Sequence, residues 1–149
     1  MIEVTRLKNT FLISLFIGIL VFSLFTFFKK SVQPRFVYYF YSYNNDKIYT
    51  EIRRASNEIE QDKVKYFVDD LLLGPMTNRY KTLFPIGTKL DFCFSNNKEL
   101  NLGLSTESIS IKKLDKKVLE KGVSLLRLNI TRNFKNYNKI NIYIDGNYI

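Results

Sequence analysis

The chain has 149 residues, with 23 Lys and Arg against 14 Asp and Glu, a formal net charge of +9, and no histidine. Without histidine there is no Ser-His-Asp or Cys-His catalysis, no imidazole metal site and no histidine pH switch. One cysteine, Cys93, excludes an internal disulfide and a cysteine-based zinc cluster. Apolar residues at 46% and aromatics at 15% supply a packed core.

No charged residue lies between Asn9 and Phe28, and Phe11–Phe28 is broken only by Ser14, Gly18, Ser23 and Thr26. A helix of ~20 residues reaches roughly 30 Å, the hydrocarbon thickness of a bilayer. Phe and Leu on every side leave no polar face for water. The exit, Thr26-Phe27-Phe28-Lys29-Lys30, lacks the small residues of a cleavage site, and no cysteine follows for lipidation. The reading is an uncleaved single-pass anchor at 11–28, after a short flank at 1–10 and before a basic linker at 29–35. Arg6 and Lys8 on one side nearly balance Lys29, Lys30 and Arg35 on the other, so charge does not orient it.

A separate domain is expected at 36–149. Phe36–Tyr43 is aromatic and β-branched, as a buried strand would be. Asn44-Asn45-Asp46 is a turn cluster, and Ile48–Arg54 alternates, with Ile48, Thr50 and Ile52 on one face and Tyr49, Glu51 and Arg53 on the other. The two runs form a hairpin. Val64, Phe67, Val68, Leu71 and Leu72 make the apolar stripe of a helix, capped by Asn57 or Asp62 and stopped by Gly74-Pro75. After a loop at 75–87, Leu90, Phe92 and Phe94 alternate with Lys89, Asp91, Cys93 and Ser95. Asn96-Asn97-Lys98 turns the chain into Leu100, Leu102 and Leu104. A second helix is predicted over roughly 115–131, with Val118, Leu119, Val123, Leu126 and Ile130 inside and Lys113, Lys117 and Lys121 outside. Ile140, Ile142 and Ile144 form the last strand, ended by Asp145-Gly146. The order ββαββαβ predicts an α+β two-layer sandwich, one mixed or antiparallel sheet with both helices on one face.

Four stretches resemble the GerMN domain, a module of bacterial sporulation and spore germination proteins. They are the aromatic strand Val37–Tyr41 with the strand ending in Arg53-Arg54; the helix end Leu72-Leu73-Gly74-Pro75; Phe84-Pro85-Ile86-Gly87-Thr88-Lys89-Leu90 leading into the third strand; and Leu126–Gly146 at the close. Leu102-Gly103-Leu104-Ser105 stands where the family usually has Val-Asp-Leu-Ser, and Asn129 where threonine is common. The resemblance implies a domain tethered outside the bacterial cytoplasmic membrane. It also implies association with itself or with envelope partners, and a family with no established catalytic activity.

The residues by themselves mark no catalytic, cofactor-binding or metal site. Glu58, Glu60, Asp62, Asp69 and Asp70 lack the spacing of a calcium loop and read as a solvated helix start. Cys93, between two phenylalanines, reads as a packed thiol. Lys112, Lys113, Lys116, Lys117 and Lys121, with Arg127, Arg132, Lys135 and Lys139, read as a solvated basic face with no nucleic-acid motif. Asn129-Ile130-Thr131 matches a glycosylation sequon but falls in a helix. The expected function is a non-enzymatic, membrane-anchored envelope protein. Its domain contacts proteins or the cell wall through the Tyr49/Glu51/Arg53 face, a sheet edge or the basic helix. The alternatives are an enzyme or accessory acting on wall polymer, and a domain facing the cytoplasm.

Overall fold

The computed structural model describes residues 2–28, 35–55, 63–108 and 116–149, and in the first of these stretches the side chains of 11–27. The predicted caps Asn57 and Asp62, the carboxylates Glu58 and Glu60, the linker lysines 29 and 30 and the lysines 112 and 113 lie outside the described residues. The chain divides into two units, Met1–Gln33 and Pro34–Ile149. The first holds helix α1, Ile2–Phe28, whose described side chains are all exposed. Among the described residues no helix is long and apolar enough to cross a membrane; on α1 those side chains cover Phe11–Phe27, short of the Phe11–Phe28 run of the sequence.

The second unit runs β1 (Arg35–Tyr41), β2 (Ile48–Arg54), α2 (Lys63–Leu72), β3 (Leu90–Asn96), β4 (Glu99–Leu104), α3 (Lys116–Asn133), β5 (Lys139–Ile144) and β6 (Asn147–Tyr148). The order ββαββαβ is present with one short strand added, formed because Asp145 and Gly146, at φ 50° and 74°, turn the chain tightly back on β5. The expected single sheet is not. β1 and β2 form a two-stranded antiparallel sheet, and β3-β4-β5-β6 form a second, in which β4 and β5 are parallel.

The physical reason for the split lies along the edge of β1 that faces away from β2. Asn129 Oδ1 accepts a hydrogen bond from Tyr39 N–H (2.8 Å) and its Nδ2 donates to Tyr39 C=O (3.0 Å). Asn133 does the same for Val37, at 2.9 and 2.7 Å. Residues four apart on a helix advance about 6 Å, and residues two apart on a strand about 6.6 Å, so the two asparagines match two successive outward-facing peptides of β1. Helix α3 thus takes the place a third strand would occupy. Asn129 is 0% exposed, so the acceptor residue of the sequon is buried and its amide committed.

One apolar core joins the two sheets. It draws Phe36, Tyr38 and Phe40 from β1, Val64, Phe67, Val68 and Leu71 from α2, the leucines of β4, the isoleucines of β5, and Val123, Leu126 and Ile130 from α3. The predicted inward faces of α2, β4, α3 and β5 are therefore correct in nearly every residue, apart from Val118, which is exposed. Phe67 sits at the centre, 4.7 Å from the Tyr38 ring and 5.3 Å from those of Phe36 and Phe134.

Two faces depart from expectation. In β2 the register sets Phe36, Tyr38 and Phe40 opposite Arg53, Glu51 and Tyr49, so these share the inner side of the hairpin, and Ile48 and Ile52 point out. In β3 the pairing jumps from Leu90↔Leu104 to Phe92↔Gly103, a bulge that leaves Asp91 unpaired and reverses the alternation. Leu90 and Cys93 pack on the core, while Phe92 and Phe94 face outward.

Replacing Asn129 by Ala removes both partners of the Tyr39 peptide and is expected to cost about 2 kcal/mol, with Asn133→Ala costing about 1. Chemical denaturation followed by circular dichroism measures both, and an Asn129→Ala variant as stable as the parent contradicts the edge-capping role.

Candidate functional site

The sequence-predicted surface Tyr49/Glu51/Arg53 is divided by the fold. Arg53 and Glu51 turn inward, each with a side chain only 11% exposed. The Arg53 guanidinium donates to Glu51 Oε2 (2.9 Å), Asp70 Oδ2 (3.1 Å), Asp70 C=O (3.3 Å) and Gly74 C=O (2.7 Å). It also covers the Tyr38 ring at 4.5 Å. Burial opposes its charge, but the Glu51 hydrogen bond and the Asp70 carboxylate outweigh that and raise its pKa. Burial, with Asp70 adding to it, holds the Tyr38 phenol protonated. Tyr38 Oη, Glu51 Oε1 and Arg53 Nε are buried and make no hydrogen bond among the described residues.

This cluster is an internal brace. Gly74 is at φ 93°, which ends α2 and turns its carbonyl toward Arg53. Glu51 Oε2 also accepts from Met76 N–H at 3.1 Å. The segment following Gly74 is thereby fixed at its start, and at its end it pairs with β1. Ser42 bridges Tyr80, Tyr43 N–H donates to Arg79 C=O (3.2 Å), and Lys81 N–H donates to Tyr41 C=O (2.7 Å).

Between that segment and the β1–β2 turn opens a cleft of ≈ 530 Å³, lined by Ser42, Tyr43, Asn44, Asn45, Tyr49, Asn78, Arg79 and Tyr80. The rings of Tyr49 and Tyr80 stack at 5.5 Å, yet Tyr49 keeps 41% of its surface exposed. Asn45 Oδ1 accepts from Lys47 N–H (3.1 Å) and its Nδ2 approaches Tyr49 Oη at 3.4 Å. Asp46, at φ 51°, ties the turn to its surroundings through Lys81 (2.7 Å) and Lys121 (3.5 Å). Of the predicted face, only Tyr49 reaches this site. The sequence places Asn44 and Asn45 in a turn and Asn78, Arg79 and Tyr80 in a loop, and nothing in their spacing marks them as neighbours.

The basic helix is largely committed elsewhere. Lys121 pairs with Asp46, Lys116 lies 4.0 Å from Glu120, and Arg127 donates to the carbonyls of Ile140 and Ile149. Among the described residues no group of three metal-ligating side chains occurs. On the outer side of the four-stranded sheet the rings of Phe94, Phe92, Tyr143 and Tyr148 form a row with spacings of 5.7, 5.9 and 5.7 Å. Phe92 lies across Gly103, where a Cβ would fall 2.2 Å from the ring.

Arg53→Ala strands Glu51 and Asp70 at a partly buried site and is expected to cost about 3 kcal/mol in denaturant unfolding, with Arg53→Lys in between. The Lys81 hydrogen bond, then the charge of Lys121, lower the Asp46 pKa. A lowered carboxylate stabilises above its unfolded value and loses that contribution as pH falls through the folded one. Asp46→Asn, which tolerates the same backbone, is expected to melt lower than the parent at about pH 6 and to match it by about pH 2. Thermal melts across that range test it.

The family model Germane, described as sporulation and spore germination, matches residues 37–149. Among solved structures, the tandem GerMN domains of the sporulation protein GerM from Bacillus subtilis superpose with a TM-score of 0.62 at 16% identity, covering 79% of this chain and 41% of that one. The first GerMN domain of the same protein gives 0.57 at 18% identity, covering 76% and 85%. The chain thus spans about two fifths of the tandem structure. No curated protein sequence matches it. With the family model covering the whole of the folded unit from Val37 onward, the chain belongs to the Germane family of sporulation and spore germination domains.

Proposed function

We propose that this protein is a non-enzymatic contact module of the bacterial cell envelope. Helix α1 holds it at the cytoplasmic membrane as a single-pass anchor, and its GerMN-type domain lies outside the cytoplasm and engages other envelope proteins or the wall. The tether is supported by the uncharged Asn9–Phe28 sequence and by the exposure of every described side chain from Phe11 to Phe27. A helix with phenylalanine and leucine on all sides offers no polar face to water.

The observation that carries the contact role is the outer aromatic row. Phe94 is 56% and Phe92 39% exposed, and they stand on β3, an edge strand of the four-stranded sheet. A run of aromatic rings beside an open strand edge offers a partner both apolar area and main-chain hydrogen bonds. The bulge turns those rings outward, and Gly103 gives Phe92 the room to lie flat. A partner that covers the row removes it from water, and tethering at the membrane raises its effective concentration.

The full-length protein is expected to sediment with membranes and to be released by detergent but not by high salt; recovery in the soluble fraction refutes the anchor. A photocrosslinker at Phe94 is expected to give discrete adducts in cells, lost on Phe92→Ser and absent when placed at Glu107. Equal adducts at both positions refute the aromatic row as the contact surface.

A further inference from the structure

We propose that the tyrosine-lined cleft between the β1–β2 turn and the segment 78–80 binds a glycan segment of acetamido pyranoses. This rests on the envelope reading above and names one ligand class for it, at a site separate from the outer aromatic row.

The lining carries the chemistry that sugars need. Tyr43, Tyr49 and Tyr80 present flat apolar rings with hydroxyl tips, suited to the C–H face of a pyranose and to its hydroxyls. The amides of Asn44 and Asn78 both donate and accept, as the hydroxyls and acetamido groups of such a chain do, and both residues are exposed at the cleft. Arg79 adds a planar donor fork for ring or carboxylate oxygens. A cleft of ≈ 530 Å³ falls within the ordinary size of small-ligand sites.

The walls are pre-organised. The Ser42–Tyr80 bridge, the Tyr43–Arg79 and Lys81–Tyr41 main-chain bonds and the Tyr49–Tyr80 stack hold the rings before any ligand arrives, so little ordering remains to oppose binding. Lys81 and Lys121 beside the turn are both paired with Asp46, while Lys47 stands in the turn itself and Arg79 in the lining.

The test uses the full chain in detergent micelles and the linear tetramer of β-1,4-linked N-acetylglucosamine as probe, titrated by two-dimensional amide NMR. The expected result is saturable shifts confined to residues 42–49 and 78–80. Tyr49→Ala weakens binding roughly tenfold, and Arg79→Ala weakens it about threefold. Tyr49→Phe, which keeps the ring, stays within about twofold of the parent, so loss of the platform is distinguished from loss of fold. Ile86→Ser, on an exposed turn away from the cleft, leaves binding unchanged. Absence of saturable shifts, shifts mapping elsewhere, or a folded Tyr49→Ala that binds like the parent overturns the proposal. Glycan binding by a protein recovered in the soluble fraction refutes the anchor and leaves the cleft intact; Phe94 adducts without glycan binding refute the cleft alone.

Discussion

Two asparagines one helical turn apart decide the architecture. An open strand edge must be satisfied by water, another strand or side chains, and in β1 Asn129 and Asn133 take up the N–H and C=O of Tyr39 and Val37. The same helix reaches the other sheet through Arg127, whose guanidinium donates to Ile140 and Ile149 carbonyls. Helix α3 is therefore a splint between a two-stranded and a four-stranded sheet. Asn129, fully buried, is the residue that makes the junction.

A second polar brace determines what the surface can offer. Arg53 gathers Glu51, Asp70 and the carbonyl of Gly74 under the aromatic floor of β1, and through Glu51 it reaches Met76. The Gly-Pro that stops α2 is thus also an acceptor for Arg53, next to the last residue of β2, so two of the four family-like stretches are halves of one interaction. The third has its own local cause. Thr88 N–H and Oγ1 both bond to Pro85 C=O, at 3.2 and 2.8 Å, with Gly87 at φ 98° in the turn position that asks for positive φ.

Two groups of aromatic residues lie on opposite sides of the domain's sheets. Phe36, Tyr38, Phe40 and Phe67 fill the core, while Phe92, Phe94, Tyr143 and Tyr148 lie along the outside. In β3 a single extra residue turns Phe92 and Phe94 to the outer side, because a shift of one position exchanges the faces of a strand. Gly103 lies directly beneath Phe92.

The sequence by itself determined the elements and most of the core. Helical and alternating patterns located β2, α2, β4, α3 and β5 closely, the Gly-Pro and Asp-Gly stops marked their ends, and the quoted motifs identified the family. These signals are local, written in residues two to four apart. Which side of β2 and β3 faces the core, whether the strands form one sheet or two, and which loops meet to form a cleft depend on contacts between distant positions. Tyr49 and Tyr80, or Tyr39 and Asn129, become neighbours only when the chain closes, and alternation assigns two faces to a strand without saying which of them the rest of the molecule will cover.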